Sequence, residues 1–222
     1  SYVLNSLFGL TIFGLTGSEG LASVAGATIS APLVEETLKG MAVLVVFLIF
    51  RHEFDSILDG IVYAGIAALG FAATENSIYI WRGFASDGWG GLATLVFIRV
   101  ILVGWQHPFY TAFIGIGLAM ARTNRNGFVK VIAPLTGWGL AMFTHSMHNF
   151  LASVPLLGEL TCLLGSFLDW IGVFFMFLFI LWATWIEQKN IILHLREEVQ
   201  MGIISAEQYR TACSAWAQSF AW

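Results

Sequence analysis

The feature that most constrains this chain is a succession of apolar stretches, each about the length of a membrane crossing. A helix rises about 1.5 Å per residue, so a hydrocarbon layer of about 30 Å needs about 20 mostly apolar residues. Residues 29–50, 57–81, 96–121, 130–152 and 161–186 each meet that requirement. Residues 2–15 are apolar but short, and read as a re-entrant piece or as the end of a truncated helix. The chain starts at Ser1 with no basic leader or small-residue cleavage site, which leaves a preceding span open. The composition agrees: 58% of residues are hydrophobic and 11% charged, where a soluble domain carries about 25% charged. In water such a chain would expose aggregating apolar patches. A formal net charge of −4 gives no footing for a nucleic-acid partner.

The expected fold class is therefore all-α, a polytopic transmembrane helical bundle with a C-terminal amphipathic helical tail. Residues 1–186 form the membrane domain. Residues 187–222 form the tail, where Leu195, Val199 and Ile203 recur at helical spacing. Gly202 to Tyr209 reads as a helix stop, a Ser205 cap and a second helix. That piece resembles short C-terminal oligomerisation motifs of bacterial membrane proteins, and a simple surface hairpin is the other reading. The run from Ser86 to Gly91 reads as a loop. Ala64, Ala68 and Ala72 mark a close helix contact. Arg51, Arg122, Arg125, Lys130, Lys189 and Arg196 fall on one side if each span crosses once. The positive-inside rule puts that side, with the tail, in the cytoplasm. Arg82 with Asp87, and Glu159, fall on the other. Cys162 and Cys213 sit in different environments, so neither a disulfide nor a metal motif is expected of them.

Ionisable residues inside spans cost about 2.5–3.5 kcal/mol each on insertion scales, and normally face a protein interior or a wet cavity. Four spans each carry at least one: Glu35, Glu36 and Lys39 in the first, Glu75 with Asn76 in the second, His107 with Arg99 in the third, and His145, His148 and Asn149 in the fourth. Counted along the helices, Glu35 and Glu75 lie roughly 9 Å below the outer boundary, His145 about 10 Å and His107 about 16 Å. The four can meet in the outer half of the membrane. Lys39 is spaced i,i+4 from Glu35 and i,i+3 from Glu36, and either carboxylate can pair with it. The two glutamates point about 100° apart, so only one faces a shared cavity. Arg99 reads as neutralising the carboxylates or snorkelling, Asp169 as interfacial, His148 as packing, and Arg82, His52 and His194 as solvated. Buried carboxylates and histidines suit three classes of protein: a hydrolase, a proton- or ion-coupled transporter, and a silent scaffold that binds a partner span. No internal repeat of the transporter kind is visible.

At these residues the chain resembles a known family. Glu35-Glu36-Thr37-Leu38-Lys39 looks like an EExxK motif. Phe71 to Asn76 looks like FxxxEN, His107 opens a small-residue helix turn, and His145 to Asn149 looks like HxxxN. Four motifs in this order are similar to the PrsW intramembrane proteases, within the superfamily of CAAX prenyl endopeptidases and Abi proteins. The departure is His148, where the pattern leads one to expect an aromatic. The resemblance implies an endopeptidase of the bacterial cytoplasmic membrane that clips membrane-anchored proteins such as anti-sigma factors. It implies catalytic roles for Glu35, Glu36, Glu75, His107, His145 and Asn149, with Lys39 and Asn76 in support. By position, His145 and Asn149 would hold the oxyanion, and the glutamates with His107 would activate water. The cofactor is none or Zn2+; zinc would draw on Glu35, Glu75, His107 and His145, with one position left for water. There is no HExxH to decide between them, and homo-oligomer formation is open.

Overall fold

The computed structural model describes residues 2–153, 159–214 and 216–217; the side chains of Tyr2, Glu159 and Cys162 are outside the described residues, and with them the sequence readings of Glu159 and Cys162. Among the described residues there is no strand, and the all-α reading holds. The helices are α1 (Tyr2–Thr16), α2 (Glu19–Ala25), α3 (Ala31–Ile49), α4 (Ile57–Val96), α5 (Gln106–Thr123), α6 (Gly127–Ser153), α7 (Glu159–Gln200) and α8 (Ala206–Ala212). Two π-helical segments, Gly26–Ser30 and Phe97–Leu102, join α2 to α3 and follow α4. Three helical runs are long and apolar enough to cross a membrane: Ile57–Thr123, Gly127–Ser153 and Leu163–Gln200. The first holds two of the spans read from sequence. α3 is not among them, because it carries Glu35, Glu36 and Lys39.

Three boundaries differ from the sequence reading. The loop expected over Ser86–Gly91 shrinks to a kink at Asp87 and Gly88, where Gly88 takes φ 60. That left-handed conformation suits a residue without Cβ. Beyond it the chain returns along α4, so that a Cβ on Gly83 would lie 2.9 Å from the Gly91 carbonyl oxygen. The span expected over 96–121 is broken at Val103–Trp105, and α5 starts one residue before His107. The depth counted for His107 along one unbroken helix therefore does not apply. The π-helical turn at 97–102, with its shifted hydrogen bonds, disturbs the helical ladder just before the break. Finally, the span read over 161–186 and the helix read in the tail run on as one helix, which ends at Gln200 just before the stop read at Gly202.

The chain divides into two compact units, Ser1–Phe175 and Met176–Trp222. In the second unit α8 follows a turn in which Gly202 has φ 71. Ser205 caps it, exchanging hydrogen bonds with Gln208 in a capping box. The Tyr209 hydroxyl donates to the Ile192 carbonyl at 3.1 Å.

In the first unit α5 is the central helix, packed against α4 and α6. Hydrophobic burial does little between helices in lipid, so close packing must hold them together. The α4–α5 crossing depends on missing side chains: a Cβ on Gly60 would sit 2.3 Å from the Gly115 carbonyl oxygen, and one on Gly115 2.0 Å from that of Gly60. Ala64, Ala68 and Ala72 continue the contact and are buried. The apolar core joins Val43, Ala64, Ile114, Leu118, Ala119 and Ala141. Along every helix the polar residues are offset from this core in the same direction. Glu35 to Lys39 precede Val43, Gln106 to Thr111 precede Ile114, and His145 follows Ala141 on the antiparallel α6.

Candidate active site

Four helices bring their ionisable residues to one cavity, of about 240 Å³, lined by Glu35, Glu75, His107, His145, His148 and Asn149 among others. Glu36 is fully buried and saturated. Its Oε1 accepts from the Lys39 ammonium at 2.7 Å and pairs with His145 Nδ1 at 2.8 Å. Its Oε2 accepts from the Thr111 hydroxyl at 2.9 Å. Glu35, one residue earlier, points about 100° away and meets a different environment. Its Oε2 is buried and has no hydrogen-bond partner. The nearest groups are Lys39 Nζ at 3.9 Å and His145 Nε2 at 4.0 Å.

Both histidines are fixed from behind. A carboxylate only accepts, so His145 donates its Nδ1–H to Glu36, which leaves Nε2 toward Glu35. His107 likewise donates Nε2–H to Glu75 Oε2 at 3.1 Å, and its Nδ1 accepts from Lys39 Nζ at 2.9 Å. Glu75 is itself held by the Arg99 guanidinium at 2.8 Å, and Arg99 Nε donates to Asn76 Oδ1 at 2.8 Å. Of the two roles read for Arg99, the structure shows the neutralising one. Lys39 is 2% exposed and sits 4.4 Å from the centre of the Phe71 ring.

One ligand atom each from Glu35, His107 and His145 lies within 4.8 Å of the others. A carboxylate and two imidazoles, each imidazole held from behind by a glutamate, is the pattern of a catalytic zinc site with its supporting carboxylates. The unpartnered Glu35 oxygen among them is the kind of buried polar atom that a cation would satisfy. The residues fit a metal that takes the place of Lys39 Nζ at His107 Nδ1, because His107 Nε2 is held by Glu75. Glu75 is not in this set, because both Arg99 and His107 occupy it.

Asn149 is i,i+4 from His145 and lines the cavity, yet its amide donates to the Ala27 carbonyl of the first π-helical segment at 2.9 Å. Asp169, read as interfacial, is 6% exposed and paired. It accepts from Gln106 Nε2 at 2.7 Å and the Tyr110 hydroxyl at 2.9 Å, and His148 Nδ1 approaches it at 2.5 Å. His148, read as packing, thus hydrogen-bonds a buried carboxylate. Tyr110 also stacks on His145, with ring centroids 5.0 Å apart at 20°. This second network was missed because Asp169 is a lone acid in an apolar stretch, and nothing in its local sequence shows which helix it meets. His52 and His194 are exposed, as read.

The profile of the PrsW family, described as PrsW family intramembrane metalloprotease, matches residues 1–183. Among curated relatives, Protease PrsW of Oceanobacillus iheyensis is 31% identical over 120 residues, covering 54% of this chain and 50% of the relative. Protease PrsW of Geobacillus kaustophilus is 32% identical over 108 residues, covering 47% of this chain and 44% of the relative. The chain spans about half the length of the curated relatives it matches. No solved structure gives a significant match. The chain belongs to the PrsW family of intramembrane metalloproteases, and it is an integral membrane protein.

Proposed function

We propose that this PrsW-family chain is an intramembrane endopeptidase that hydrolyses peptide bonds of membrane-anchored proteins, with Glu35, His107 and His145 as the residues that hold a catalytic zinc. The observation that carries this reading is the Glu35 oxygen, buried without a hydrogen bond beside two imidazoles whose outer nitrogens face glutamates. Held by these residues, a zinc ion would supply a Lewis acid and a bound water of lowered pKa. The chain's own residues do the positioning. Glu36 fixes the tautomer of His145, and Glu75, neutralised by Arg99 and steadied through Asn76, fixes that of His107. Lys39, 3.9 Å from the Glu35 oxygen, would supply a buried positive charge where oxyanion charge develops. Asn149 closes the wall by tying α6 to the first π-helical turn. Water oxygen bonds to the carbonyl carbon, the C–N bond breaks, and the proton passes to the leaving amine.

Membrane-anchored regulators, anti-sigma factors included, are the substrate class that the family resemblance supports. The order of the four motifs supports the wider kinship with CAAX prenyl endopeptidases and Abi proteins. The basic residues Arg51, Arg122, Arg125 and Lys130 support an orientation with the tail in the cytoplasm. Residues 187–222 would be a cytoplasmic tail, and its capped helical hairpin is the surface on which homo-oligomers would form.

The test is cleavage in liposomes. Purified protein, incubated with a panel of single-span bacterial membrane proteins, is expected to cut at least one. Glu35→Gln is expected to lower the rate by a factor of about 10³ or more, the scale of losing a group that acts on the reacting atoms. A chelator should abolish cutting and added zinc restore it. A Glu35→Gln protein that cuts as fast as wild type would sink the assigned centre.

A further inference from the structure

A cleft of about 810 Å³ lies between α1–α2 and α4, and Glu35 and Glu75 are among the residues that line it. We infer that this cleft receives the membrane-embedded segment of the substrate, unwound, with small side chains against the wall formed by Gly9, Ala22, Gly26 and Ala27. The inference rests on the protease reading and deepens it by naming where the substrate lies and which residues it presents.

Three observations carry it. First, the cleft leads to the reacting centre: the Glu35 carboxylate, 6% exposed and with an oxygen lacking any hydrogen bond, lines it as well as the cavity of the histidines. Second, its sides are apolar and uncovered. Leu10 is 67% exposed and Ile78 49%, on opposite sides of the opening. An apolar opening at span depth admits a segment from lipid. Third, the two glycines of the wall are not required by packing. A Cβ on Gly9 or on Gly26 would meet nothing within 4 Å, unlike the glycines of the α4–α5 crossing, whose Cβ would strike backbone. Small residues that the fold does not need leave room for another chain. A helical substrate buries its own peptide bonds, so the scissile bond is reached only where the segment unwinds. Small substrate side chains let that stretch approach the wall closely, as at close helix contacts in membranes.

The experiment fills the cleft without touching the centre. Gly9→Leu and Gly26→Leu are made alongside Gly139→Leu, a control on α6 whose added Cβ also meets nothing within 4 Å. The first two are expected to cut a single-span substrate about tenfold more slowly or worse, the scale of forcing extra bulk into an occupied space. Zinc content and unfolding midpoint should stay at wild-type values, and Gly139→Leu should cut normally. A second arm needs no turnover. In Glu35→Gln protein, benzoylphenylalanine at position 10 should photocrosslink a synthetic span with an Ala-Gly-Ser centre, and should capture an all-leucine span far less. Cleft-filled variants that cut at wild-type rate, or equal capture of both spans, would overturn the inference. A wild type that cuts nothing would overturn the protease reading instead, and the crosslink would still decide the cleft.

Discussion

The chain builds two buried carboxylate networks side by side, and they are satisfied to different degrees. Around Asp169, Gln106, Tyr110 and His148 all converge on one carboxylate from α5 and α6. Around Glu35 the same chemical types are present, yet one carboxylate oxygen is left without a hydrogen bond. Leaving a buried polar atom unsatisfied costs about 1–3 kcal/mol. The open network is the one to which the metal is assigned in the proposed function. The closed network then has a mechanical role: it ties the start of α7 to α5 and α6, and through Tyr110 it backs the ring of His145. The contrast repeats at shorter range between Glu36, with three donors, and Glu35, with none.

The comparison can be broken by mutation. The largest effect on stability is expected at Glu36. Glu36→Gln removes the counter-charge of a fully buried ammonium, and breaking a buried pair from one side costs about 3–5 kcal/mol. Thermal unfolding in detergent should show this loss, whereas Glu35→Gln should unfold near the wild-type midpoint. Equal midpoints for the two variants would erase the distinction between a holding and a reacting glutamate. Next comes Asp169→Asn, which weakens hydrogen bonds to a charged acceptor worth about 1.5–3 kcal/mol. It should lower stability and slow cleavage moderately while zinc content is retained. Loss of zinc in that variant would show that the two networks are one. The smallest effect belongs to Tyr110→Phe. It removes one donor to Asp169 and keeps the ring stacked on His145, so about 1 kcal/mol is expected. Unchanged cleavage kinetics there would confirm that the ring, and not the hydroxyl, supports the histidine.

The class of fold was legible in the sequence, and so were the residues to which the centre is assigned. Apolar stretches of span length allow little but helices in lipid, since every backbone group must be satisfied within its own segment. The expense of a buried charge then marks Glu35, Glu36, Glu75, His107 and His145 as residues with a purpose. Which partners each glutamate meets is legible only in the tertiary structure. A helical step of 100° says that Glu35 and Glu36 diverge, but the direction of the cavity depends on where Thr111 and His145 arrive from α5 and α6. The same holds for Asp169, a single acid whose partners come from 21 to 63 residues away in the chain. The break before His107 was equally out of reach, because hydropathy reads Phe97–Leu102 as apolar whether its hydrogen bonds are α or π. Local sequence fixes the energy of burying a group, and packing between helices fixes what that group meets.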